Sequence, residues 1–338
     1  MVLSAKMRAE LGMTVAVWYP ESMAPQVQLG LLRRTLEDVE LFVRPANVCL
    51  VVDGCPQALG PARQAADEVA SRCGEAPLVH VEEENRGQGG AVARGLELLL
   101  EERDLAYFCT RDSDGDHDIY DLPQLFRRQV EVEAAGGGER VFCTGVRADL
   151  HRPMGYARGE LEEVLNEVTV QALTATGIVP KLACCRVYGH YPDFQSGYKL
   201  HGRWSAQETV SSLREADAAE PGEKVLRWGV QFIPTVEMLR QGAVPAVVYR
   251  LTYDQQPQSS FEGYDDLPRA YGCQLAWLFR RLHLEPGRAW AMLDAALAAV
   301  MLCTTPGGRE TLLSLREYVA RHAFGTQAPP APPRGAMF

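Results

Sequence analysis

The sequence predicts an α/β fold with a mainly parallel central sheet, followed by a helical C-terminal extension. Three observations predict it. The first two-fifths alternate near-continuous apolar runs of five or six residues with helical stretches, as in a parallel sheet covered on both faces. From Leu267 onward the pattern is helical throughout. An acidic stretch, CTRDSDGDHDIYDLP at 109–123, directly follows one apolar run, and functional groups of such sheets gather where strands end.

The elements follow in order. MTVAVW (13–18) is a strand, and Pro25–Glu40 carries Val27, Leu31, Leu32 and Leu36 at helical spacing. NVCLVV (47–52) is a second buried strand, a helix runs near Pro61–Cys73, and LVHVE (78–82) is a third strand. A helix spans Ala91–Glu102, and LAYFC (105–109) is the fourth strand. Pro123 opens a helix to about Ala135 with Asp121 as N-cap, and three glycines at 136–138 break it. RVFCTGV (140–146) resumes as strand, and no internal repeat is present.

Composition narrows the function classes. A net charge of −10 over 338 residues argues against a nucleic-acid binder. The nine cysteines include no C-x-x-C pair, and they read as reduced thiols. The N-terminus has no apolar signal stretch, so a cytoplasmic protein is expected. The apolar segment 289–304 is too short for a span and is interrupted by Asp294, so a buried helix is expected and any membrane contact is at most peripheral. The tail at 326–338 is proline-rich and reads as disordered.

The acidic stretch places five carboxylates within fifteen residues, an arrangement that repulsion disfavours without water, a cation or basic partners. An EF-hand calcium loop fits poorly. His117 stands where that loop needs glycine, and Pro123 where it needs glutamate. A solvated turn and a Mg²⁺ or Mn²⁺ site remain. The strand-end position, on the same rim as Asp53, favours the metal, with one or two carboxylates and a diphosphate sharing the ion.

Four stretches in this order carry a resemblance: VVDG (51–54), ENRGQGGAVARGL (84–96), RDSDGDHDIYDLPQL (111–125) and DFQSGYKL (193–200). Together they resemble the motifs of family-two glycosyltransferases with the GT-A (Rossmann-like) fold, and most of all the dolichyl-phosphate glucose and mannose synthase branch. The similarity covers roughly 13–260. It implies a glycosyltransferase domain over 1–260, with a nucleotide-sugar half (13–125) and an acceptor half (126–260). A helical extension (261–325) and the tail follow.

The resemblance also implies roles. Asp53 and Asp112 would contact the nucleotide, with Pro20, Glu21, Arg86, Gly87 and Gly89 around it. Asp114 and Asp116 would hold the metal. The glycines permit close backbone approach to a ligand at a helix start, although a plain helix-start loop has the same composition. Gln88 replaces the family's usual lysine. Asp193 is the candidate base for an inverting transfer, or else a turn-capping aspartate. Arg147, Arg158, Glu162 and Gln195 would mark the acceptor region. The branch has serine at the Glu162 place, where a carboxylate would oppose a phosphate, unless Arg158 and Glu162 simply pair on a helix face.

The reading is therefore a metal-dependent inverting glycosyltransferase. Its donor would be UDP-glucose, or second GDP-mannose, and its acceptor a soluble small molecule or a polyprenyl phosphate. A sugar-1-phosphate nucleotidyltransferase is the rival, although its glycine-rich loop after the first strand is absent from WYPESMAPQ (18–26). A non-catalytic nucleotide-sugar-binding protein is the third reading.

Overall fold

Seven strands form one sheet in the order β3-β2-β1-β4-β6-β5-β7. They span Leu11–Val17 (β1), Val48–Asp53 (β2), Leu78–Glu82 (β3), Tyr107–Asp112 (β4), Val141–Arg147 (β5), Lys199–Gly202 (β6) and Val244–Arg250 (β7). The computed structural model describes residues 2–102, 104–147, 156–178, 193–219, 225–250 and 267–325. The proline-rich tail, Cys184 and Cys185 lie outside the described residues.

The sheet is mostly parallel, as expected, but also holds antiparallel pairs. β3, β2, β1 and β4 are parallel, but β6 inserts antiparallel to both β4 and β5. β6 is only four residues long, which is too short to show an alternation of its own in the sequence. β2 is buried along its whole length, and its residues alternate between two cores as strand geometry requires. Val48, Leu50 and Val52 join the core on one face, while Cys49 and Val51 join that on the other.

Helices α1 (Val2–Glu10), α2 (Pro25–Thr35), α3 (Pro56–Cys73), α4 (Gly87–Leu100) and α5 (Leu122–Val132) precede β5. α6 (Tyr156–Ala175) follows it, and α7 (Arg203–Ala219), α8 (Val225–Trp228) and α9 (Phe232–Arg240) lie between β6 and β7. α2 stops five residues before the expected Glu40, because Asp38 adopts a left-handed φ of 53° and a 3-10 turn follows. Leu32 and Leu36 are buried as expected, whereas Val27 is exposed. α3 begins at Pro56 and carries Pro61 inside it. Of the two prolines, Pro56 holds the favoured first-turn place.

α10 (Leu267–Arg281), α11 (Pro286–Met301) and α12 (Pro306–Phe324) form the C-terminal helices. The Glu285 carboxylate accepts the Gly287 and Arg288 N–H groups to cap α11, and the Thr305 hydroxyl accepts that of Gly308 to cap α12. Asp294, the charge inside the apolar 289–304 stretch, takes a bidentate pair from Arg316 at 2.7 and 3.0 Å. Among the described residues no helix is long and apolar enough to cross a membrane. The seven described cysteines are free thiols.

The chain divides into two units. One comprises Met1–Val146 and Ser196–Leu251, and the other Arg147–Gln195 and Thr252–Phe338. The first contains the sheet. In the second, α6 packs against α10, α11 and α12.

Candidate functional site

In the first unit the loops at the carboxyl ends of β1, β2 and β4 are fastened to one another. Tyr19, after β1, donates its hydroxyl to Ser113 O at 2.8 Å, and the Cys55 thiol after β2 donates to Tyr19 O at 3.3 Å. Pro20 and Glu21 follow Tyr19 in a turn closed by a bond from Met23 N–H to Pro20 O. β2 and β4 flank β1 in register, Val52 beside Val17 and Asp112 beside Ala16. Asp53 and Asp112 therefore lie on one rim, roughly 10 Å apart by strand spacing.

Asp53 is buried and accepts the Arg86 N–H at 2.8 Å. Burial raises its carboxyl pKa and the Arg86 and Gly87 N–H groups pull it back. Gly54, with φ +54°, lets the chain turn against Asn85, whose backbone nitrogen would sit 2.1 Å from any Cβ there.

The acidic turn is buried, contrary to the solvated-turn alternative: Ser113, Asp114, Asp116 and His117 are all under 10% exposed. It is held from beneath. The Arg111 guanidinium donates to Thr35 O at 2.8 Å and also to His117 O, and it lies over the Tyr198 ring. Tyr198 in turn stacks on His117 at 4.8 Å between ring centroids.

Each carboxylate of the turn has its own arrangement. Asp112 Oδ1 accepts from Gln88 Nε2 at 2.6 Å. The Asp112 N–H donates to His117 Nδ1 at 3.1 Å, so the neutral imidazole carries its proton on Nε2, 3.6 Å from Asp112 Oδ2. Asp114 Oδ1 accepts the Asp116 N–H at 3.0 Å. Burial, then the nearby Asp112 charge, pushes the Asp114 carboxyl up to about 7. Asp116 Oδ2 faces the Arg250 guanidinium at 3.3 and 3.4 Å, while Asp116 Oδ1 is buried without a hydrogen-bond partner among the described residues.

These donors fit Mg²⁺ or Mn²⁺ in a limited way. Among the described residues no three His, Cys, Asp or Glu side chains converge as a metal cage. Hard oxygen donors are present, and Asp116 Oδ1 lacks a partner. An ion here would depend on one or two carboxylates and on oxygens of its ligand.

The glycine-rich loop shows close approach, but by protein. A Cβ on Gly87 would meet Arg227 Cα at 2.7 Å, and one on Gly89 would meet Leu226 O at 2.6 Å. Both glycines therefore seat α8 against the start of α4.

In the second unit the predicted acceptor residues form one buried network. Arg147 donates through Nε to Asp193 Oδ2 at 2.7 Å. Its Nη2 reaches both Asp193 Oδ1 and Glu162 Oε2 at 2.6 Å. Glu162 Oε1 accepts from Tyr271 at 2.7 Å and from Arg158 Nε at 3.3 Å. Gln195 donates its N–H to Asp193 Oδ1 at 3.2 Å and its amide to Gln274 at 2.7 Å. Burial alone would lower the Arg147 pKa, but Asp193 and Glu162 carry it well above the ordinary arginine value. Arg158 and Glu162 do pair one helical turn apart, yet Glu162 is 1% exposed at its side chain, so the pair lies in the interior. Pro192, before Asp193, lies outside the described residues.

Sequence reasoning missed Gln88, His117, Arg250 and Tyr271. Gln88 and His117 sat inside stretches already singled out. Arg250 and Tyr271 stand 134 and 109 residues from their carboxylate partners, and no local pattern marks them.

No family model and no curated protein matches the chain. Among solved structures it is similar to a CMP:2-keto-3-deoxy-manno-octonic acid synthetase complexed with CTP, at TM-score 0.40 and 11% identity. That similarity covers 73% of this chain and 94% of that one. It is similar to residues 1–349 of S. aureus TarS at TM-score 0.40 and 12% identity, over 93% and 81% of the two chains. It is similar to the 4-diphosphocytidyl-2C-methyl-D-erythritol synthase of Anaerococcus prevotii at TM-score 0.35 and 9% identity, over 78% and 98%.

Proposed function

We propose that this chain is a metal-dependent inverting glycosyltransferase that takes a sugar from a nucleotide-diphosphate sugar, with UDP-glucose as first donor and GDP-mannose as second. The observation that carries the reading is the buried acidic turn at the end of β4. Burying two carboxylates, Asp114 and Asp116, in one turn is costly, and Arg250 meets Asp116 by direct contact.

Asp53, fixed by the Arg86 N–H, would receive the base. Asp112, held by Gln88, would meet the ribose or sugar. Asp114 and Asp116 would hold Mg²⁺ or Mn²⁺. When bound, the ion supplies positive charge to the departing nucleoside diphosphate.

The base would be Asp193. Both its oxygens accept from Arg147, so it gains basicity only if that guanidinium leaves it. Glu162, already touching the same nitrogen, offers Arg147 the alternative seat. The acceptor would be a soluble hydroxyl compound ahead of a polyprenyl phosphate, because Glu162 and Asp193 together balance the charges of Arg147 and Arg158. The site of action would be the cytoplasm.

The test is release of UDP from UDP-glucose, or GDP from GDP-mannose, by the full chain with and without Mn²⁺ and a panel of hydroxyl acceptors. Pyrophosphate release from a nucleoside triphosphate and a sugar phosphate would indicate the nucleotidyltransferase instead. Binding without turnover of any donor would indicate the non-catalytic reading.

A further inference from the structure

Tyr19 is wholly buried, and each of its polar groups is tied to a neighbouring loop. Its N–H donates to Cys55 Sγ at 3.5 Å, and its C=O accepts from the Cys55 thiol at 3.3 Å and from Gln57 Nε2 at 3.1 Å. Its hydroxyl donates to Ser113 O at 2.8 Å. The main chain of Tyr19 is thus anchored to the loop that follows β2 and Asp53. The side chain carries that anchor across to the acidic turn.

The point of attachment matters. Ser113 O is the carbonyl between Asp112 and Asp114, and a shift of that carbonyl turns the peptide plane that leads to Asp114. The far side of the turn is held separately, by Arg111 at His117 O. Asp114 Oδ1 accepts the Asp116 N–H, so a displacement at Ser113 reaches both carboxylates. Asp116 Oδ1 is buried without a hydrogen-bond partner among the described residues. An ion that relies on one or two carboxylates depends closely on how those groups are placed. Residues that orient metal ligands from behind typically control about 10- to 100-fold in metal affinity.

We propose that Tyr19 is a positioning residue for the metal: its grip on Ser113 O holds Asp114 and Asp116 in the arrangement that Mg²⁺ or Mn²⁺ needs. The inference rests on the reading that these two carboxylates bind the ion. Phenylalanine at this position would keep the ring in the core and lose only the grip.

Electron paramagnetic resonance of free Mn²⁺, titrated into the full chain with saturating UDP and in parallel with GDP, measures the affinity without turnover. Tyr19→Phe should weaken Mn²⁺ about tenfold or more. Tyr107→Phe is the control, because it removes another hydroxyl bond, to Glu133 Oε2 at 2.9 Å, at the opposite end of β4. It should lower the melting temperature and leave Mn²⁺ affinity native. Should Tyr19→Phe not fold, Cys55→Ala takes its place, since it loosens the anchor of Tyr19 and should weaken Mn²⁺ severalfold. Native Mn²⁺ affinity in the variant used, or an equal loss in Tyr107→Phe, overturns the role of Tyr19 and leaves the metal reading standing. A native protein that takes up no Mn²⁺ overturns both.

Discussion

Glu162→Gln tests the buried network of the second unit most directly. Among the described residues two guanidinium groups, Arg147 and Arg158, face two carboxylates, Glu162 and Asp193, and their formal charges cancel. The substitution leaves a surplus of one positive charge where Arg147 is 4% and residue 162 is 1% exposed at the side chain. Glutamine keeps the volume and one acceptor, so Tyr271 and Arg158 can still donate to its oxygen. Its NH2 then meets Arg147 Nη2, donor against donor, in place of the 2.6 Å ion pair. Removing one partner of a buried pair costs about 3–5 kcal/mol, and the retained bonds place this change near the low end, about 3 kcal/mol. The assay is urea unfolding followed by fluorescence of Trp277 and Trp290, both in the second unit, with Glu68→Gln as control. Glu68 pairs with Arg33 at the same 2.6 Å but on the surface, where solvent leaves such a pair worth little. The two pairs share the shortest N···O distance and differ sharply in burial. Equal losses from both substitutions would show that burial does not set the strength of this network, and the reasoning fails.

Asp114→Ala should abolish the Mn²⁺-dependent part of UDP binding by calorimetry while leaving the fold intact. In the native protein, Mn²⁺ affinity should rise with pH through about 7, because the ion displaces the proton that burial and Asp112 keep on Asp114. Asp193→Asn should lower kcat roughly 100-fold with donor affinity nearly unchanged. Because it also removes one of the two oxygens that accept from Arg147, its melting temperature must be measured alongside. Burial, then Lys199, holds His201 down to about 3. The unfolded chain therefore binds a proton that the native chain refuses, and stability falls as pH drops from about 6.5 toward 3 by at most about 1.4 kcal/mol per unit. His201→Gln should flatten that slope in a melting-temperature series. Gly87→Ala, at φ +79° and with Arg227 Cα 2.7 Å from its new methyl, should cost more than about 1 kcal/mol and raise protease sensitivity around α8.

The rim position of Asp53 and the acidic turn was legible because each follows an apolar strand at once, and register along β1 then places both at one end of the sheet. The helical C-terminus was legible from periodicity, and the Arg158–Glu162 pair from its four-residue spacing. Burial of those groups was not. It depends on Arg111 and Tyr198 beneath the acidic turn and on Tyr271 beside Glu162, contacts between residues far apart in the chain. The glycines at 87 and 89 advertised a close approach correctly but not by what, since composition cannot distinguish a ligand from the backbone of Leu226 and Arg227. The antiparallel β6 was hidden by its length.

The second unit is assembled from two separate lengths of chain, one on either side of β6, α7, α8, α9 and β7. A chain ending at residue 251 would keep the whole sheet but deprive Glu162 of Tyr271 and Gln195 of Gln274. A fragment beginning at 252 would carry, among the described residues, the helices α10, α11 and α12 and none of the ionic groups that α6 and its flanks contribute. Neither end can therefore be expressed as an independent half. Mixing the two pieces should restore native circular dichroism only if they reassociate around Glu162. Trimming for crystallisation or fusion thus belongs at the extreme termini, and gene dissection at residue 251 is the cut most certain to mislead.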